Sequence, residues 1–291
     1  TTRNGDGAWV ITRASDQREV LQDGATFSSY RRIFSAAVGE DWPVIPLELD
    51  PPDHGRYRSL LNPLLSPKRM MAMEPFVREK AVSLIEGFKA NGTSCEIMND
   101  FAFPLAVFLG IPDDRLKEFV GWANDLLHST PEARTAAARK VLDFLEGMAA
   151  DRRAAPTEDF MSFLVTVDFE GRKLNDQEVR AIAVLLFIGG LDTVAAAIGL
   201  DLYFLARNPD RQQELREDPG LMQMAVEEML RAFPTITPIR TATRDVDFHG
   251  APIRKGDLVS CPSMVSSRDP DEFPNPDVID FNREDNRHVA F

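Results

Sequence analysis

The residues best suited to chemistry lie inside the most apolar stretch of the chain: Gly189-Gly190-Leu191-Asp192-Thr193. Two adjacent glycines in mid-helix cost about 2 kcal/mol against alanine, so a helix built for stability alone would avoid them. They thin the helix, let a flat ligand approach its backbone and permit a kink. Asp192 and Thr193 set a carboxylate and a hydroxyl beside that opening, groups able to hold water and relay protons. The plainer alternative is close helix packing at the glycines, with Thr193 bonded back to its own turn and Asp192 capping or paired. Further along, Glu228 and Arg231 share one helix face at i, i+3. By default that is a surface ion pair worth less than about 1 kcal/mol.

The elements that must position these groups are mostly helices. AWVITR at 8–13 reads as a strand, followed by a short helix at 15–23. Residues 39–53 carry four prolines and cannot form a regular element. They form a long ordered loop, of the kind that often lines a site. Helical patterns follow at 53–65, 67–90, 101–109, 113–127, 132–152 and 157–167, separated by Pro, Gly and Asn breaks. Pro112 with two acids behind it marks one helix start, favourable to the helix dipole. Asn175 or Asp176 caps the long helix, which runs to about Arg207 before Asn-Pro ends it. Helices at 210–216 and 220–232 precede short strands at 245–249, 251–253 and 257–261, and 262–291 shows no periodicity. With no repeat or linker, residues 1–291 are expected to be a single domain, mainly α with small β pieces.

The chain has 291 residues and a formal charge of −13. That acid excess disfavours nucleic acid and anionic membrane as partners, since phosphate contacts need clustered Lys and Arg. Cys95 and Cys261 show no pairing pattern, which indicates a reduced, cytoplasmic compartment. Residues 181–200 are long and apolar enough to cross a bilayer. Asp192 near the centre would cost about 2.5–3.5 kcal/mol there, so the buried axis of a soluble protein is expected, not a membrane span.

The order of these features resembles the cytochrome P450 family from Trp9 to Phe291: a glycine-interrupted apolar helix with an acid-Thr pair, then Glu-x-x-Arg, a β hairpin and a Pro/Asp-rich meander. LDPPDHGRYR resembles the family's D-P-P-x-H-x-x-x-R segment, and Asn286 to Phe291 resembles N-x-H-x-A-F. The resemblance is strongest to the camphor-hydroxylating bacterial branch, through NGDGAWVITR, LLFIGGLDTV and RDVDFHGAPIRKGD. It implies a haem-thiolate monooxygenase that binds haem b. Asp192 and Thr193 would be the catalytic proton relay. His54, Arg58 and Arg240 would hold the propionates, with Gly189 and Gly190 against the porphyrin. Glu228, Arg231 and Arg283 would form a structural triad, and His288 would be structural. Trp42 stands where camphor-binding members carry a tyrosine, and with Leu185, Ile188 and Ile236 it would line an apolar pocket for a small terpenoid- or ionone-like substrate.

By the same resemblance, O2 is the co-substrate, and electrons come from a [2Fe–2S] ferredoxin with its reductase. Docking would use Arg56, Arg58, Lys68 and Arg69. The pattern puts the iron-binding cysteine about seven residues past Phe291, with neither Cys95 nor Cys261 able to replace it. The fold is therefore expected to be incomplete at both ends, without the ligand loop and proximal helix, and this stretch alone inactive. A haem-free helical fragment or binding module is the alternative.

Overall fold

The computed structural model describes residues 2–3, 7–30, 33–92, 94–106 and 115–290. In chain order its elements are strands β1 (Thr2–Arg3) and β2 (Ala8–Val10), helix α1 (Ala14–Gln22), strand β3 (Phe27–Ser28), and helices α2 (Ile33–Ala37), α3 (Asp53–Leu61), α4 (Pro67–Asn91), α5 (Phe103–Ala106), α6 (Leu116–His128), α7 (Pro131–Ala154) and α8 (Phe160–Thr166). A hairpin of β4 (Asp168–Phe169) and β5 (Arg172–Lys173) leads into the long helix α9 (Asp176–Arg207). Then come α10 (Pro209–Glu217), α11 (Met222–Ala232), strands β6 (Ile239–Ala242), β7 (Val246–Phe248), β8 (Ala251–Ile253) and β9 (Leu258–Ser260), and a last turn of helix, α12 (Ser263–Ser266).

The chain divides into two compact units: a helical one, Arg31–Ala195, and a mixed one, Thr1–Tyr30 with Ala196–Phe291. In the helical unit α6, α7, α8 and the first half of α9 enclose one core. Phe119 sits at its middle, its ring 4.6 Å from Phe144 and 6.0 Å from Phe187. Ala181, Ile182, Ala183 and Val184 are buried in succession, so this part of α9 is apolar on every side because it is enclosed on every side. Helix starts follow local chemistry. The Thr130 hydroxyl and the Asp159 carboxylate accept from backbone N–H groups of the first turns of α7 and α8. Asn175 and Glu178 form a reciprocal capping box, each side chain accepting from the other's backbone N–H.

The mixed unit is built on a five-stranded sheet in the order β1-β2-β9-β6-β3, with β2 parallel to β9 and the other pairs antiparallel. Ile11, Phe27, Ile253 and Val259 form the core against it, while Leu215, Met229 and Phe281 form a second cluster around α11. Both small hairpins turn through two residues with positive φ, Glu170-Gly171 and His249-Gly250. Such a turn matches the strand twist and favours glycine at its second position.

Most expected elements are present, within a few residues at their ends. The helix expected at 53–65 breaks at Leu61 into a 3-10 turn at 62–65, because Pro63 cannot continue the α pattern. The segment expected at 101–109 begins as a π turn at 98–102, and its end lies outside the described residues, as does the helix start at Pro112. Strands β1, β3, β4, β5 and β6 were not expected. Helix α9 alone, among the described residues, is long and apolar enough to cross a membrane, and the buried axis of a helical unit passes the same test.

Candidate active site

Directly past the enclosed run of α9, its surroundings change. Leu185, Leu186, Ile188, Gly189, Gly190, Asp192 and Thr193 are only half-buried, and Val194 is exposed, although the helix stays apolar. A Cβ built on Gly189 or Gly190 meets nothing within 4 Å. The two glycines thus leave bare backbone on a helix lined by Leu185 and Ile188. The Thr193 hydroxyl donates to the Gly189 carbonyl at 2.6 Å, which fixes its rotamer and turns its lone pairs outward from that bond. The plain packing alternative foresaw this back-bond. It leaves the hydroxyl beside the glycines with acceptor capacity to spare.

His54 and Arg58 lie four residues apart on α3, His54 half-buried and Arg58 exposed. Arg58 makes no hydrogen bond or ion pair among the described residues, so its five donors are open to an anion. Arg56 differs. It pairs with Asp53 at 2.8 Å and with Glu170 of the β4–β5 turn, which removes it as a free cation from the expected docking patch. Lys68 and Arg69 stay exposed at the start of α4.

Next to these, Glu178 in the first turn of α9 accepts from the Tyr57 hydroxyl at 2.6 Å, from both Arg172 terminal nitrogens at 2.6 and 2.7 Å, and from the Asn175 N–H at 2.7 Å. Chiefly through Arg172, and against the effect of burial, these bonds hold the Glu178 carboxyl at about 2 rather than 4.5. A depressed native value means that its stabilising contribution is present above pH 4.5 and is lost as pH falls from there toward 2. Urea midpoints taken stepwise through that window should fall for the wild-type protein and stay flatter for Glu178→Gln; parallel curves would refute the assignment. No catalytic motif points to Tyr57, Arg172 and Glu178. Only the N-x-x-E spacing of Asn175 and Glu178 announces part of the cluster in the sequence.

Trp42 is buried in the helical core, tilted against Phe34 at 5.8 Å. Its indole N–H donates to Glu40. Arg180 of α9 pairs with Glu40 at 2.8 Å and stands over the Trp42 ring at 5.9 Å, so the proline-rich loop is tied to α9 through an ion pair.

In the mixed unit the Glu228 carboxylate is buried with Arg231, both at 0% exposure, unlike the surface pair that i, i+3 spacing alone would suggest. Arg231 donates to both Glu228 oxygens at 2.8 and 2.9 Å, and to the carbonyls of Ser267 and Pro276. Arg283 adds its Nε to the same carboxylate at 3.0 Å. Arg240 is half-buried on β6, with one terminal nitrogen donating to the Ile239 carbonyl, and Ile236 is half-buried in the irregular segment before it. The His288 Nδ1 accepts from the Ala290 N–H, and Nε2 faces Glu227 at 3.0 Å. Cys261 follows β9 fully buried, and burial pushes its thiol up to about 12. Its neutral form is favoured, which makes it a poor metal ligand. Cys95 is exposed.

Residues 96–219 and 220–288 match the profile of the family described as "Cytochrome P450". The chain is also 54% identical to "Probable cytochrome P450 127A1" of Sinorhizobium fredii, over 100% of its own length and 71% of that relative. The chain belongs to the cytochrome P450 family. "Vitamin D(3) 25-hydroxylase" of Pseudonocardia autotrophica is 32% identical over 97% of the chain and 73% of that protein. The solved "Cytochrome P450 PksS" of Bacillus subtilis superposes with a TM-score of 0.88 at 28% identity, over 98% of the chain and 75% of that structure.

As a P450, the protein is a monooxygenase that uses O2, electrons from a redox partner, and haem b. The residues present fit that group: bare apolar backbone at Gly189-Gly190 suits a porphyrin face, and the open guanidinium of Arg58 suits a propionate. Family membership disfavours the haem-free alternative.

Proposed function

We propose that this P450 hydroxylates a small, apolar, terpenoid-like molecule of the camphor or ionone kind, with electrons from a [2Fe–2S] ferredoxin, in the cytoplasm. The observation that carries the reading is the half-buried stretch of α9, where Leu185 and Ile188 flank bare glycine backbone and Asp192 and Thr193 follow at once. An apolar substrate gains by leaving water for such a surface. A relative named for hydroxylating vitamin D(3) supports an apolar substrate, and the likeness of NGDGAWVITR and LLFIGGLDTV to the camphor-hydroxylating branch supports a compact one. Trp42, buried against Phe34 with its N–H engaged by Glu40, offers a substrate no hydrogen bond.

Haem b supplies the oxygen-activating chemistry when bound. The chain's own contribution is position, dryness and proton traffic. His54 and Arg58 would hold the propionates, and Gly189 and Gly190 would leave room for the porphyrin face. Thr193, held by the Gly189 carbonyl, accepts a hydrogen bond on the open side of its oxygen, and Asp192 brings protons to it from water. The exposed Lys68 and Arg69 offer charge to an acidic ferredoxin.

Thr193→Ala tests the relay: reductant consumption should continue while product formed per electron falls about tenfold or more. Unchanged coupling removes Thr193 from the mechanism. Optical spin-state titration with terpenoids and ionones tests the substrate class, and a response confined to long-chain acids or large polyketides would overturn it.

A further inference from the structure

Helix α3 carries the two proposed propionate donors, yet Leu61 is its only fully buried residue. Apolar packing therefore fixes its orientation weakly. Polar contacts on its other flank do more. The Tyr57 hydroxyl reaches Glu178 at the start of α9 at 2.6 Å, and the Tyr57 ring stacks on Phe169 of β4 at 4.9 Å. The Arg56 and Arg172 guanidinium groups stand 5.8 and 5.6 Å from that Phe169 ring, and Arg56 grips Glu170 at the hairpin turn. Arg172 of β5 closes the circuit on Glu178, which is almost fully buried. Helix α3, the hairpin and the first turn of α9 are thus joined around one carboxylate that accepts from a phenol, a guanidinium and a backbone N–H. Tyr57 lies beside Arg58 in sequence and one helical turn from His54, and the glycine pair lies on the same helix α9 that Glu178 begins.

We infer that the Tyr57–Glu178 bond, backed by Arg172 and the β4–β5 hairpin, is a latch that positions His54 and Arg58 relative to the Gly189-Gly190 stretch of α9. Tyr57 and Glu178 are positioning residues. They set how tightly the haem is held and touch neither it nor the substrate. The inference rests on the proposed donor role of His54 and Arg58. A charge-assisted bond from a half-buried phenol to a buried carboxylate is strong and directional, so its loss lets α3 tilt while the Tyr57–Phe169 stack keeps it folded.

The test is the rate of haem transfer from the haem-loaded protein to excess apomyoglobin. Tyr57→Phe, which removes only the hydroxyl, should speed loss about fivefold. Arg58→Ala and His54→Ala should each speed it about tenfold. Adding Tyr57→Phe to the His54→Ala/Arg58→Ala double variant should not speed loss further, because a latch that acts through those two donors has nothing left to position. Asp159→Ala, which uncaps α8 in the same unit, serves as the control for general loosening. Wild-type rates for both donor variants would sink the donor role and the latch together. Accelerated donor variants with an unchanged Tyr57→Phe would sink the latch alone. So would a further multiplying effect in the triple variant, or an Asp159→Ala rate equal to that of Tyr57→Phe.

Discussion

Replacing Glu228 by alanine is expected to remove about 4 kcal/mol of stability, a large share of the roughly 5–15 kcal/mol that holds a domain folded. The carboxylate is fully buried and accepts from Arg231 twice, from Arg283 through both its oxygens, from the Asp280 N–H and from the Asn286 amide. Without it, two guanidinium groups face each other in a space from which water is excluded, and like charges there have no compensation. Arg283→Ala should cost far less, since it removes one partner and leaves the Arg231–Glu228 pair satisfied. Glu228→Gln should fall between, because it keeps the volume and one acceptor but loses the charge. Urea unfolding of the three variants checks the order. A Glu228→Ala protein within about 1 kcal/mol of wild type would show that the cluster is not the brace its burial indicates.

That cluster also shows what residue spacing alone leaves open. Spacing places Glu228 and Arg231 on one helix face, but i, i+3 geometry is the same for a solvated pair and a buried one. Burial depends on Phe273, Phe281 and the meander folding back from far along the chain, and no local pattern encodes that. Helix α9 was legible because period, caps and terminating Asn-Pro all lie within its own stretch. The β4–β5 hairpin was not, since FEGRK has no apolar alternation and is defined by a two-residue turn of positive φ. The five-stranded sheet was legible strand by strand at β2 and β9, while their parallel pairing across most of the chain was not. Trp42 shows the same limit at the site. Its place in the Pro-rich loop was readable, but Glu40 and Arg180, which engage it, come together only in the fold.

The glycine pair of α9 allows stability and haem binding to be moved in opposite directions. Gly189→Leu and Gly190→Leu each exchange a poor helix former for a good one, worth about 0.7 kcal/mol in an unstrained helix interior. Both backbones are helical and neither new Cβ meets an atom within 4 Å, so that gain should appear in the haem-free protein as a raised unfolding midpoint. Haem responds the other way. If the porphyrin face meets the backbone there, as proposed, a rigid macrocycle cannot accommodate a leucine side chain, and haem content should drop at least about tenfold in one variant or both, a cost of 1.4 kcal/mol or more. A destabilised helix would lower both quantities together, and a helix with no ligand on that side would gain stability and lose nothing. Stability up with haem down is the outcome peculiar to a bare stretch kept open for a flat ligand. Pyridine haemochrome content beside thermal unfolding of the haem-free protein separates the three, and undiminished haem in both variants would move the porphyrin elsewhere.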